Sequence, residues 1–65
     1  MKSRVAGEWT GWDGDTIVRL ENGTVWRQAQ YHYKYKYKYR PIAIVDGNFM
    51  LVEGMPKAVK VRRID

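Results

Sequence analysis

The chain reads as an all-β protein, and three observations carry that reading. Glycine-containing turn signals recur at short intervals, the stretches between them are rich in β-branched and aromatic residues, and residues 31–39 alternate with strict period two. No window shows the three- and four-residue apolar spacing of an amphipathic helix. The turn signals are Asp13-Gly14-Asp15, Asn22-Gly23, Asp46-Gly47-Asn48 and Glu53-Gly54-Met55-Pro56. Glycine in such places accepts the positive φ that tight hairpins need. The signals divide the chain into strands over about 4–12, 15–21, 24–30 running into 31–39, 42–45, 48–53 and 58–64. Five or six short antiparallel strands in 65 residues predict a small SH3-like barrel or a curled sheet, built as one domain over 1–65.

The first strand contributes Trp9 and Trp12. The second and third form the clearest hairpin, Leu20-Glu21-Asn22-Gly23-Thr24-Val25-Trp26. A two-residue Asn22-Gly23 turn sets Leu20 opposite Val25 and Arg19 opposite Trp26. Val18, Leu20, Val25 and Ala29 then share one face, and Ile17 and Trp26 fall on the other. Apolar residues on both faces suit a strongly bent barrel or a strand beside a subunit interface.

Residues 31–40 raise the main question. Tyr31, Tyr33, Tyr35, Tyr37 and Tyr39 are all the tyrosines of the chain, and His32, Lys34, Lys36, Lys38 and Arg40 alternate with them. A straight strand over 31–39 would run ~30 Å, so this segment is expected to bend or to leave the barrel in part. Each ring buries ~150–250 Å², and five exceed what one side of a small core holds. Some rings are expected over Trp9, Trp12 or Trp26, others against a second subunit. Trp9, Trp12, Trp26, Tyr33, Tyr35 and Tyr37 are therefore the candidates for aromatic core or interface. Pro41 is expected to end the strand, because it lacks a ladder donor. In 48–53, Phe49 and Leu51 alternate with Met50 and Val52, which suggests burial on both faces. The last strand sets Val59 and Val61 against Lys60 and Arg62.

Twelve Lys and Arg oppose seven Asp and Glu, a net charge of +5. Most acidic residues lie in or beside turns, while the bases concentrate in strands. Lys34, Lys36, Lys38, Arg40, Lys60, Arg62 and Arg63 are the candidates for binding a polyanion, either nucleic acid or an acidic protein. A lysine row also has a plainer use, since solvated charge keeps an edge strand from pairing with other chains. Alternation points tyrosines and lysines in opposite directions, so one flat surface cannot use both sets. A groove between two subunits would remove that difficulty.

Several function classes find no support. The chain has no cysteine and one histidine, so neither a disulfide nor a structural zinc site is expected. Asp13-Gly14-Asp15-Thr16 lacks the further ligands of a calcium loop. No phosphate-cradling glycine motif precedes a helix. His32 has no evident nucleophile or orienting carboxylate, so no catalytic residue is assigned and no cofactor is expected. No apolar run approaches the ~18 residues of a membrane span, and no signal peptide is seen after Met1, so a cytoplasmic protein is expected.

Residues 7–28 follow the pattern G-x-[FW]-x-G-W-x-G-x-T, then L-x-N-G-x-x-W, through Gly7, Trp9, Gly11, Trp12, Gly14, Thr16, Leu20, Asn22, Gly23 and Trp26. This resembles small uncharacterised bacterial β-rich proteins, some carried as accessory or mobile-cassette genes. Residues 33–41 and 52–64 resemble that group as well. The resemblance implies a β-rich fold and assigns no catalytic residue.

The expectation is a non-enzymatic binding or assembly module that self-associates through aromatic residues and offers a basic surface to an acidic partner. The alternatives are a nucleic-acid-binding protein and a small enzyme whose site forms at an oligomer interface.

Overall fold

The computed structural model describes residues 1–65 and contains eight strands and no helix. They are β1 Lys2–Arg4, β2 Glu8–Asp13, β3 Ile17–Arg19, β4 Val25–Gln28, β5 Tyr33–Tyr39, β6 Ile42–Asp46, β7 Phe49–Val52 and β8 Val59–Arg63. Six form an antiparallel sheet in the order β1-β6-β7-β8-β4-β3, and β2 pairs with β5 alone. The larger sheet curls until its ends meet. Val5 bridges Leu20, Ala6 N donates to Arg19 O at 2.8 Å, and Glu21 N donates to Arg4 O at 2.8 Å. The result is the small all-β, barrel-like architecture expected, with the β2–β5 ribbon laid across it.

Two long expected strands are each divided. The stretch 4–12 breaks between Arg4 and Glu8, where Gly7 takes φ +87°. The stretch 24–39 breaks at 29–32. Ala29 continues onto β8 by donating to Lys60 O at 2.8 Å. The buried Gln28 amide then turns the chain, donating to Gln30 O and His32 O at 2.9 Å each. A straight run over 31–39 would be longer than the 25 Å greatest extent of the molecule, and the break removes that conflict.

The Asn22-Gly23 hairpin differs by one residue from expectation. Arg19 faces Val25 and Val18 faces Trp26, around a three-residue loop closed by Leu20 N donating to Thr24 O at 2.9 Å. Gly23 takes φ +93°, and Asn22 Oδ1 accepts from Thr24 N at 3.0 Å and Thr24 Oγ1 at 2.7 Å. Those side-chain bonds favour the longer loop with a left-handed glycine. The shift by one exchanges the faces of the partner strand. Trp26 joins Val18 inside, and Ile17 faces outward opposite Arg27.

The core is one cluster that includes Val5, Trp9, Trp12, Val18, Leu20, Trp26, Ala43 and Val45 from the first two thirds of the chain. Met50, Val52, Met55, Val59 and Val61 complete it. Trp9 and Trp12 meet edge to face, with ring centroids 4.9 Å apart and planes at 84°. Strand β7 was expected to be buried on both faces. Instead Met50 and Val52 point inward while Phe49 and Leu51 stay exposed. A curled sheet has one inner face, so its strands alternate cleanly. Pro41 follows the end of β5 as expected and is buried.

Candidate binding surfaces

The ribbon is built around a register shift. Glu8 and Trp9 face Tyr39 and Lys38, but Gly11, Trp12 and Asp13 face Tyr35, Lys34 and Tyr33. Lys36 and Tyr37 thus oppose Thr10 alone, a bulge in β5. In a regular strand, residues three apart face opposite sides. The irregularity, with Gly11 at φ +103°, lets both Trp9 and Trp12 turn inward.

Directly opposed side chains share a face. Lys34 and Lys38 therefore stand on the side of the tryptophans, and the tyrosines stand on the outer side with Glu8 and Asp13. This corrects the expectation that some tyrosine rings cover Trp9, Trp12 or Trp26. The barrel side of the ribbon is already filled by the indoles, and the alternation sends the tyrosines of β5 the other way. All five are 49–79% exposed. Tyr37 Oη donates to Glu8 Oε1 at 3.2 Å. Partial desolvation, then the Glu8 charge, raises the Tyr37 phenol above its ordinary value.

The lysine side is not a free platform along its whole length. The Lys38 stem passes over Gly54, and its Nζ lies 3.9 Å from Glu53 Oε2. Arg40, at φ +50°, is tied into the fold. Its Nη2 donates to Glu21 Oε1 at 3.0 Å, its N donates to Gly7 O at 2.8 Å, and its O accepts from Arg4 Nη1 at 2.8 Å. Bonding to the Arg40 guanidinium holds the Glu21 carboxyl below its usual range. Lys34, Lys36, Lys60, Arg62 and Arg63 form no ion pair.

A second cationic surface lies across the main sheet. Arg27 faces Arg62 on β8, and Phe49 faces Lys60, all on the outer side. Arg27 Nη2 also contacts Asp15 Oδ1 at 2.8 Å. Where this surface meets the loop after β4, a polar cavity of about 420 Å³ opens among Gly14, Asp15, Arg27, Gln30, Tyr31 and Arg62. Sequence reasoning missed this cavity. Its signal was Gln28, a polar residue at the same strand parity as the core residue Trp26, and the mistaken hairpin register concealed it.

Gln28 is 4% exposed and fully bonded. Its Oε1 accepts from Gly14 N at 2.8 Å and Thr16 N at 3.3 Å, while its amide nitrogen holds Gln30 O and His32 O. The Asp13–Thr16 turn is fixed from its other side. Asp13 Oδ1 accepts from Asp15 N at 2.8 Å and Thr16 Oγ1 at 2.9 Å, and these bonds lower the Asp13 carboxyl below its usual range.

No group of three His, Cys, Asp or Glu side chains is placed to hold a metal ion. No helix is long and apolar enough to cross a membrane. No protein-family model, curated protein or solved structure matches the chain.

Proposed function

We propose that this protein is a non-enzymatic binding and assembly module that self-associates through the tyrosine face of its β2–β5 ribbon. The observation that carries the reading is the row of exposed tyrosines on a strand that pairs on one side only. At ~200 Å² per ring, the exposed fractions of the four β5 tyrosines, Tyr33, Tyr35, Tyr37 and Tyr39, leave roughly 500 Å² of aromatic surface uncovered. A typical partner contributes ~800 Å² to a stable interface, so the row supplies most of one half. Uncovered patches of several hundred Å² usually mark an interaction surface.

Charge disfavours a polyanion as the occupant, and the aromatic surface suits a second copy. The carboxylates Glu8 and Asp13 share the tyrosine face, while the lysines stand on the other side. Two such faces stack without opposing their lysine rows, and a polyanion on this face would meet acid. The phenol hydroxyls keep access to water at the rim, which tyrosine tolerates better than phenylalanine. Lys34, Lys36, Lys60, Arg62 and Arg63, which form no ion pair, are then free to meet an acidic partner.

Light scattering across a dilution series at moderate salt tests the proposal. The expected result is a dimer or larger assembly that becomes monomeric when Tyr33, Tyr35 and Tyr37 are changed to serine. A parent protein that is monomeric at every concentration would refute it.

A further inference from the structure

We infer that the cavity beside β4 is a nucleotide-binding site, in which Tyr31 stacks on a base and the Arg27–Arg62 pair holds a phosphate. The inference uses residues outside the proposed assembly contact and stands independently of it.

Tyr31 is the most exposed of the tyrosines, at 79%, yet it is not loose. The carbonyls on either side of it, of Gln30 and His32, are both held by the buried Gln28 amide. The Gln30 side chain is tied to β8, its Oε1 accepting from Lys60 N at 3.3 Å. The ring lies over Gly14, where an added Cβ would come within 3.1 Å of it. A large apolar ring is thus held in water by a buried polar strut. A stacking platform of this kind contributes to single-strand binding without reading sequence.

The cavity wall supplies the complementary charge. Arg27 and Arg62 are directly opposed across β4 and β8, so their guanidinium groups leave the sheet on one side. Like charges directly opposite across a pair of strands are destabilising, which suits a site completed by an anion. Asp15 neutralises part of Arg27, while Arg62 has no carboxylate partner. Arginine forks match phosphate oxygens in a paired geometry. The Gln30 amide nitrogen keeps its donors free, since only its oxygen is engaged within the protein. An aromatic platform, two arginines and an amide around about 420 Å³ match one nucleotide unit in size and chemistry. Lys60, on β8 beside this wall, continues the positive surface along a path a strand could follow.

That nucleotide could be free or part of a single strand, and the test separates the two. A labelled oligothymidylate is titrated at low and moderate salt, with thymidine 5′-monophosphate followed in parallel by amide chemical shifts. Oligonucleotide binding that weakens with salt, and falls about tenfold in Tyr31→Ala and in Arg62→Gln, supports the site with a strand as its ligand. Mononucleotide binding that shifts the Gly14, Gln30 and Tyr31 amides, with no gain from the oligonucleotide, supports it with a free nucleotide. The parent shift map needs no variant and so remains decisive even where a substitution perturbs folding. Binding that leaves those amides unshifted, variants that bind like the parent, or no binding of either probe at low salt would overturn the inference. Self-association is read from mass alone, so the failure of either proposal is visible without the other.

Discussion

Replacing Gly11 by alanine tests how the ribbon is held. A Cβ at this position would overlap the Lys34 carbonyl oxygen and come within 2.9 Å of Lys36 N and Tyr35 Cα. All three atoms belong to the backbone of β5, so no side chain can swing aside. The Gly11 φ of +103° is also one that an L-residue rarely adopts, which costs ~1–3 kcal/mol by itself. Relief requires β5 to move away from β2 or Gly11 to rotate. Either change disturbs the placement of Trp9 and Trp12, the edge-to-face pair in the core. Adding a partial loss of that packing gives a cost of ~3–4 kcal/mol. A chain of this length has roughly 3–10 kcal/mol of stability in all.

The expected outcome is therefore a drop in Tm of about 20–30 °C or outright unfolding. Urea unfolding followed by tryptophan fluorescence measures it, and the near-ultraviolet circular dichroism of the tryptophan pair should weaken in the same variant. A Gly11→Ala protein within ~0.5 kcal/mol of the parent would refute the close approach of the two strands, since ordinary surface substitutions stay inside that range.

Gln28→Leu should cost about 2 kcal/mol, because it leaves two amides and two carbonyls without their buried partner while the nearby turns regain some water. Hydrogen exchange at Gly14 and Thr16 should quicken in that variant, and unchanged protection there would contradict the bonding described. For pH, the sign follows from the depressed carboxyls. Asp13 is lowered chiefly by the Asp15 N–H and Glu21 by the Arg40 side chain, so both favour the folded state when ionised. Their contribution is present above the unfolded carboxyl range and is lost as pH falls through the lower folded values, from about pH 4.5 downward. Thermal melts should show a shallower acid dependence in the Asp13→Asn, Glu21→Gln protein, and identical dependence in parent and variant would exclude these two groups.

The architecture was legible because β-sheet patterning is local. Alternation in Val59-Lys60-Val61-Arg62 and glycine at each turn required no knowledge of partners. The ribbon was legible as a strand, but which of its faces met the core was not. That depended on the shift between Trp9 and Gly11, a property of two strands more than twenty residues apart in sequence. The hairpin at Asn22 failed for a related reason. Both a two- and a three-residue loop accommodate Asn-Gly, and the choice rested on the bonds Asn22 makes to Thr24. That single residue of register set Trp26 on the face opposite Val18 and hid Gln28 from the cavity. Arg40 looked like the end of a cationic row, but a row in sequence carries no record of Glu21, which engages it.

Separating the aromatic row from the free bases has a consequence for how the two proposed surfaces combine. Tyrosines and carboxylates share the outer side of the ribbon, while Arg62 and Lys60 lie on the outer side of the main sheet. An assembly formed through Tyr33, Tyr35, Tyr37 and Tyr39 would use none of the residues that line the cavity. Each added copy would bring another set of cationic residues, so a dimer would offer a strand two sites on one particle. Linked sites gain affinity through effective concentration without new contacts, provided the strand spans them. Serine at Tyr33, Tyr35 and Tyr37 should then leave mononucleotide affinity unchanged and weaken binding only of oligonucleotides long enough to reach both cavities. Equal loss for short and long probes would mean that the ribbon itself touches the ligand, and the division of labour between the two faces would be wrong.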